Sequence, residues 1–115
     1  MSVRWTPQEY EHYLRRGQPA PVSEAAFMAA VVKIARQHQW LCYHTYTSKR
    51  SPEGFPDLIC ARAGSPLLAI ETKTDTGQLT PAQAAWLEAL AGCTGVVAEV
   101  WRPRDLDAIV AQLRH

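Results

Sequence analysis

The sequence of 115 residues has almost no excess charge, no closely spaced cysteine pair and no long apolar run. Its net charge of +1 produces no overall basic field, so a nucleic acid would have to bind a local patch. No run approaches the ~18 apolar residues of a membrane-spanning helix, and the polar N-terminus differs from a signal peptide. We therefore expect a cytoplasmic protein that is neither secreted nor attached to a membrane.

The three cysteines, Cys42, Cys60 and Cys93, are far apart, and no CxxC pair occurs. This pattern argues against a disulfide framework, and we predict three reduced, partly buried thiols. His44 lies two residues from Cys42. Because no further ligands follow at metal-binding spacing, we expect a packed histidine rather than a zinc ligand, with DNA contact as the minority interpretation.

The composition, 47% hydrophobic and 20% charged residues, suits one α/β domain with its own core. Residues 1–21 are predicted as an N-terminal helix and linker, and residues 22–115 as the domain proper. The fourth strand follows a helical crossover and should run parallel to a neighbour. The predicted elements are a helix from Ser23 to about His38, strands at 40–47, 57–62 and 67–73, a helix from Thr80 to Gly92, a strand at 95–101 and a helix at 105–113.

Three charged residues lie at one end of the second and third predicted strands. Asp57 begins the second strand, while Glu71 and Lys73 end the third, two residues apart and therefore on one face. If the short AGSP connection makes the strands antiparallel, Asp57 lies beside Glu71 and Lys73. The apolar residues of this hairpin are expected to be buried: Leu58, Ile59, Leu67, Leu68 and Ile70.

Two neighbouring carboxylates repel each other unless a proton or a cation intervenes. Mg²⁺ (or Mn²⁺) fits such a pair, because a hard divalent cation binds through one or two carboxylates and retains water. A bound ion of this kind activates water for attack on phosphorus, and Lys73 would neutralise the developing charge. The alternative is a surface salt bridge between Glu71 and Lys73, with Asp57 as a turn residue.

The segments GFPDLI, AIETKTD and LTPAQAAWL, in this order, resemble the VRR-NUC domain of the PD-(D/E)xK nuclease superfamily. The resemblance covers about residues 22–101. It implies a restriction-endonuclease-like αβββαβ core, with a mixed central sheet flanked by helices, to which the N-terminal helix is an addition. Stand-alone members of this size are similar to Holliday-junction resolvases and are typically homodimers, and larger relatives act in DNA repair.

By this resemblance, Asp57 and Glu71 are the expected metal ligands and Lys73 is the catalytic lysine. The resemblance also implies that the backbone carbonyl of Thr72 completes the metal shell. Glu24, on the first core helix, is expected to reach the metal directly or through water. The alternative for Glu24 is a helix-start glutamate favoured by the helix macrodipole.

Gln83 matches the glutamine of the family signature and is expected to position the lysine, a water or the phosphate. It also stands where it can cap its own helix, and the two roles are compatible. Lys49 and Arg50, in the loop before Gly54, are candidate DNA-phosphate contacts, although two solvated charges are an equal alternative. Further arginines that could extend the patch include Arg62, Arg102 and Arg104.

The predicted function is a metal-dependent DNA endonuclease that acts on branched or junction DNA, without a nucleotide cofactor. Two alternatives stay open. One is a restriction-like, flap or nicking nuclease on duplex DNA. The other is a non-catalytic DNA-binding module of the same fold, for which two clustered carboxylates that repel phosphate have no evident use.

Overall fold

The structure is a computed structural model, and it describes residues 23–45 and 50–115. The order of elements confirms the predicted α/β class with an αβββαβ core. The predicted N-terminal helix falls within residues 1–22, outside the described residues. The elements are α1 (Glu24–Gln37), β1 (Leu41–His44), β2 (Leu58–Ala61), β3 (Leu67–Thr72), α2 (Pro81–Ala91), β4 (Val96–Trp101), a 3-10 turn (Pro103–Asp105) and α3 (Leu106–Arg114).

The four strands form one mixed sheet in the order β1-β2-β3-β4. β1 pairs with β2, and β2 with β3, in antiparallel register. The short turn between β2 and β3 reverses the chain directly, whereas a longer loop joins β1 to β2. β4 pairs with β3 in parallel, as expected for a strand reached through the crossover helix α2. The predicted topology is therefore confirmed.

The helix starts follow the predicted capping chemistry. The Ser23 hydroxyl accepts a hydrogen bond from the backbone N–H of Ala26 at 3.0 Å, which satisfies one free donor of α1. At the start of α2, Thr80 and Gln83 form a reciprocal capping box, with Pro81 at the first helical position. Both helices therefore begin where their cap residues dictate, and α2 is fixed at the end that carries Gln83.

The main core lies between α1, α3 and one face of the sheet. On β3, Leu68 and Ile70 belong to this core, whereas Glu71 faces α2 through a contact with Gln83. The alternation of strand side chains thus places the core and Glu71 on opposite faces. The buried core residues include Phe27, Val31, Ile34, Leu58, Leu106, Ile109 and Leu113.

Three burial predictions are wrong. Leu67 is 37% exposed and Ile59 is only half-buried, because both belong to the face that α2 covers only in part. Cys93 is exposed, because it follows the end of α2 at Gly92 and does not turn back into the core. Among the helices of residues 23–45 and 50–115, none has the length and apolar character needed to cross a membrane.

Candidate active site

The open end of the β2–β3 hairpin brings the predicted carboxylates together. Leu58 is paired with Ile70, so the next residues outward along the two strands are Asp57 and Glu71. The Asp57 carboxylate bends across the end of β3 and accepts two hydrogen bonds from Thr72. The Thr72 backbone N–H donates to Oδ1 at 3.1 Å, and its hydroxyl donates to Oδ2 at 3.0 Å. The two ends of the hairpin are therefore in direct contact.

Glu71 is a buried carboxylate with incomplete pairing. The residue as a whole is only 3% exposed. Oε2 accepts a hydrogen bond from Nε2 of Gln83 at 3.0 Å and lies 3.9 Å from Nζ of Lys73. Oε1 is buried and has no hydrogen-bond partner in the described part of the chain. Because a buried polar atom without a partner costs about 1–3 kcal/mol or more when charged, this oxygen calls for an explanation.

The side chain of Gln83 makes two contacts at once, one to the cap of its own helix and one to Glu71. Its Oε1 accepts a hydrogen bond from the backbone N–H of Thr80 at 2.9 Å, which is the capping contact. Its Nε2 donates to Glu71, which is the contact toward the site. One amide therefore fixes the start of α2 and one oxygen of Glu71 at the same time.

The pKa values of both carboxyl groups are raised. Burial raises the pKa of Glu71 to about 7, and the negative charge of Asp57 adds to this, while the Lys73 ammonium opposes it. Burial also raises the pKa of Asp57, against the two hydrogen bonds from Thr72. The charge of Glu24 acts in the same raising direction on both groups. A positive ion beside these carboxylates would lower both pKa values and favour the charged forms.

The loop that delivers Asp57 is fixed against α2. Gly54 has a φ of +96°, and a Cβ at this position would lie 2.5 Å from the backbone of Ala82. The ring of Phe55 packs edge-on against Trp86, with centroids 5.1 Å apart. The indole N–H of Trp86 donates to the carbonyl of Glu53 at 3.1 Å. These contacts hold the loop and α2 together, and with them the positions of Asp57 and Gln83.

Asp57 and Glu71 open into a cleft with a volume of about 580 Å³, and Glu24 and Gln83 also line it. A second hollow of about 550 Å³ lies on the α1 side, and Asp57, Glu24 and His44 are among the residues that line it. His44 is half-buried there, which agrees with the expected packed histidine.

The predicted metal ligands are placed unequally. Glu24 is exposed at the start of α1. Within residues 23–45 and 50–115, no three His, Cys, Asp or Glu side chains are grouped closely enough to hold one ion. Glu24 nevertheless lines the same cleft as Asp57 and Glu71, and its role as a ligand stays a prediction. A donor set of Asp57 and Glu71 still fits a hard cation, because such an ion binds through one or two carboxylates and keeps water. An ion at this position would give the buried Oε1 of Glu71 a partner.

The basic residues divide into contact-making and exposed groups. Arg102 donates to the carbonyls of Thr74 and Gly77 at 2.7 and 2.6 Å, and so holds the loop that follows Lys73. Arg104 donates to the carbonyl of Asp75 at 3.4 Å. Arg50 is exposed in the loop before Gly54, as the sequence predicts, and Lys49 lies outside the described residues.

Two site contacts were missed from the sequence. Thr72 was considered only for its backbone carbonyl, because strand alternation turns its side chain away from Glu71; its hydroxyl nevertheless reaches Asp57. Trp86 belongs to the LTPAQAAWL segment, from which no contact of its own is predicted, yet its indole N–H holds the loop before Asp57. The signal for the Trp86 contact was the indole N–H itself, because a partly buried tryptophan usually finds a hydrogen-bond acceptor.

The sequence was compared with known proteins. The model of the VRR-NUC domain matches residues 5–105. No curated protein and no solved structure gives a significant match.

Proposed function

Because this chain belongs to the VRR-NUC domain family, a nuclease-type domain whose partner is DNA, we propose that it is a divalent-metal-dependent DNA endonuclease. The observation that carries the proposal is the buried Oε1 of Glu71, which has no hydrogen-bond partner in the described residues. It lies in a carboxylate pair with Asp57, at the edge of an open cleft. A structural ion pair alone would not require a second carboxylate beside Glu71, nor leave one of its oxygens unpaired.

Asp57 and Glu71 would hold a Mg²⁺ or Mn²⁺ ion, with the backbone carbonyl of Thr72 as a further proposed ligand. When bound, such an ion supplies a nucleophilic water at neutral pH and stabilises charge on phosphate oxygens. Thr72 fixes the Asp57 carboxylate through both of its oxygens. Glu24, on the wall of the cleft, would act through water rather than directly.

We propose that Lys73 acts on the phosphate as well as on Glu71. Its ammonium is 3.9 Å from Oε2 of Glu71, a distance at the limit of an ion pair. Its side chain is 13% exposed, so its charge lies at the border between the buried carboxylate and the solvent. In this position Lys73 would stabilise the negative charge that develops at phosphorus. Gln83 keeps Oε2 of Glu71 engaged, which leaves Oε1 for the ion.

We propose branched DNA, such as a four-way junction, as the substrate, and a homodimer as the active form. Two sites related by a two-fold axis could cut the two strands of a symmetric junction. Phosphate contacts by Lys49 and Arg50 would position the DNA without reading its sequence. A flap, nicking or restriction-like activity on duplex DNA is the second candidate.

The proposal is tested with purified protein, labelled four-way junction, flap and plain duplex DNA, and Mg²⁺, Mn²⁺ or EDTA. We expect metal-dependent cleavage that is lost in Asp57→Ala and Lys73→Ala. Glu88→Gln, which removes an exposed carboxylate of α2, is the matched control and should cleave normally. Cleavage that survives both alanine substitutions would show that the site is assigned wrongly.

Three further readouts separate the alternatives. Binding of all substrates without cleavage of any would favour the DNA-binding module. Mg²⁺ should raise the midpoint of thermal unfolding of the wild type but not of Asp57→Ala, which tests the ion independently of cleavage. Light scattering that gives a monomer at working concentration would contradict paired cutting by a homodimer.

A further inference from the structure

Cys42 and Cys60 face each other on neighbouring strands. They are direct partners in the β1–β2 register. Their Sγ atoms are 3.7 Å apart, and all three cysteines are free thiols. This pairing could not be predicted from the sequence, because seventeen residues and a long loop separate the two positions.

The backbone geometry of the Cys42–Cys60 pair is compatible with a disulfide bond. The backbone N–H of Thr45 donates to the carbonyl of Asp57 at 3.2 Å, which marks Thr45 and Asp57 as a hydrogen-bonded pair. Antiparallel pairs alternate, so Cys42 and Cys60, three positions further along, form a non-hydrogen-bonded pair. The Cα atoms of such pairs are about 4.5 Å apart, at the short end of the range of roughly 4.4–6.8 Å that disulfides span.

The two thiols differ in environment. Cys60 is fully buried, while Cys42 is half-buried and is reached from the solvent. The hydrogen bond with Cys60 lowers the pKa of Cys42 to about 7, burial opposes this, and the charge of Arg36 adds to the lowering. The same contact and burial raise the pKa of Cys60. Since the thiolate is the nucleophile, Cys42 is the first thiol to react and Cys60 the second.

We propose that Cys42 and Cys60 are an oxidative modification site, at which hydrogen peroxide converts the two thiols into a reversible cross-strand disulfide. The Cys42 thiolate attacks the O–O bond of the peroxide; the sulfur becomes a sulfenic acid, and the released hydroxide takes up a proton to form water. The Cys60 sulfur then attacks the Cys42 sulfur and expels a second water after losing its proton. The two thiols lose two electrons, and one peroxide is reduced to two waters.

The disulfide would close a ring that contains the whole connection between β1 and β2. This connection includes Arg50, Gly54 and Asp57, so oxidation would fix the two strands on which that loop is mounted. The Sγ atoms must approach from 3.7 Å to about 2 Å, a change that rotation of two side chains in adjoining strands can supply. A ring of this length is expected to raise the midpoint of thermal unfolding by roughly 10 °C.

The test treats the reduced full-length protein with hydrogen peroxide, blocks remaining thiols with iodoacetamide and maps the peptides by mass spectrometry. We expect a cross-link between the peptides of Cys42 and Cys60, its reversal by dithiothreitol and a higher unfolding midpoint only before reduction. Cys93→Ser is the matched control and should form the same bond. In Cys60→Ser, Cys42 should instead be trapped as sulfenic acid by dimedone.

Cys93 also serves as an internal gauge of the oxidant, because it is exposed and outside the pair. If Cys93 is oxidised while Cys42 and Cys60 both stay alkylatable, the proposal is wrong. Oxidation of Cys42 to sulfinic acid in the wild type, without a cross-link to Cys60, would also overturn it. None of these readouts depends on nuclease activity, so the outcome is independent of the proposed function.

Discussion

Both ends of the β2–β3 hairpin hold charged residues, but the charged groups at the two ends differ in how completely they are hydrogen-bonded. At the turn end, Arg62 donates to the carbonyls of His38 and Leu113 at 2.9 and 3.0 Å and to the hydroxyl of Ser65 at 3.0 Å. Its guanidinium also lies over the ring of Trp40, at 4.3 Å from the centroid. At the open end, Glu71 is buried with one oxygen unpartnered among the described residues.

This difference separates a structural charge from a functional one. A half-buried cation such as Arg62, which donates to two carbonyls and a hydroxyl, contributes to stability through these contacts. A buried carboxylate with an unused oxygen and a raised pKa costs stability in the protein alone, and this cost is offset when a cation binds. The turn end of the hairpin thus fastens β2 to α1 and α3, whereas the open end carries the proposed metal site.

Neutralising one charge at each end should give effects of opposite sign. At pH 8 without metal, Glu71→Gln should stabilise the fold by about 1–2 kcal/mol, because a buried unpaired charge is removed. Arg62→Met should destabilise it by about 2–3 kcal/mol, because three acceptors lose their donor. Chemical denaturation measures both changes.

Activity should follow the reverse pattern in the same two variants. Glu71→Gln is expected to reduce metal-dependent cleavage at least ~100-fold, whereas Arg62→Met should cleave at the wild-type rate per folded molecule. Glu88→Gln again serves as the neutral control. Destabilisation by Glu71→Gln, or unchanged cleavage, would contradict the functional reading of the open end.

The stability of the metal-free protein should depend on pH through the same carboxylate. Glu71 has a pKa of about 7 in the folded state, against 4.5 for an ordinary glutamate. The folded state therefore holds the proton more tightly, and stability falls as the pH rises from about 4.5 to 7. The full effect is about 3 kcal/mol, at about 1.4 kcal/mol per pKa unit. Asp57, whose pKa is also raised, adds a change in the same direction.

Urea denaturation between pH 4.5 and 8 measures this dependence. Glu71→Gln should remove most of it, and saturating Mg²⁺ should weaken it by stabilising the charged form at high pH. Arg62→Met should keep the wild-type slope at a lower overall stability. If the stability of the wild type rises between pH 4.5 and 8, ionisation of Glu71 does not destabilise the folded state, and the prediction is wrong.

Two glycines allow the two ends of the β2–β3 hairpin to be compared without changing a charged residue. Gly54 at the open end has a φ of +96° and no room for a Cβ, whereas Gly64 in the turn has a φ of +83° and open space around it. Gly64→Ala should cost only the backbone strain, about 1 kcal/mol. Gly54→Ala should cost about 2–4 kcal/mol and also reduce cleavage, because the loop must move away from Ala82 and shift Asp57.

Thermal unfolding and cleavage assays on both variants measure these effects. Equal stability losses in Gly54→Ala and Gly64→Ala would mean that the loop yields without strain. Full activity in Gly54→Ala would mean that the contact with Ala82 does not position the aspartate.

Much of the architecture follows from local sequence signals. The capping residues Ser23 and Thr80 fix two helix starts, and the crossover between β3 and β4 fixes their parallel pairing. The meeting of Asp57 with the end of β3 follows from the short turn between β2 and β3, since antiparallel strands must return. Leu67 could not be predicted, because its exposure depends on how far α2 extends over one face of the sheet.

The details of the site depend on distances that a linear pattern does not contain. Strand alternation correctly separates Glu71 from Thr72, but it cannot show that Asp57 bends around the strand end to the Thr72 hydroxyl. The pairing of Cys42 with Cys60 depends on the register of β1 against β2, which a long loop leaves undetermined in the sequence. The exposed position of Glu24 likewise depends on how α1 lies against the sheet.

The Thr72 hydroxyl offers the finest test of the open end. Thr72→Val keeps the shape of the side chain and the backbone N–H that donates to Oδ1, but removes the donor to Oδ2 of Asp57. We expect a loss of about 1–2 kcal/mol in stability, because an oxygen of a half-buried carboxyl group loses its hydrogen-bond donor. Affinity for Mn²⁺, measured by isothermal titration calorimetry, should fall roughly 10-fold, because a contact that orients a ligand is removed.

Thr72→Ser provides the matched comparison, since it restores the hydroxyl and removes only a methyl group. It should regain most of the Mn²⁺ affinity even if packing against the core is weakened, because orientation of Asp57 requires the donor and not the methyl. Equal affinity in Thr72→Val and the wild type would show that the backbone N–H alone orients Asp57. In that case Thr72 would resemble Arg62 at the opposite end, a residue that fastens the strands without tuning the site.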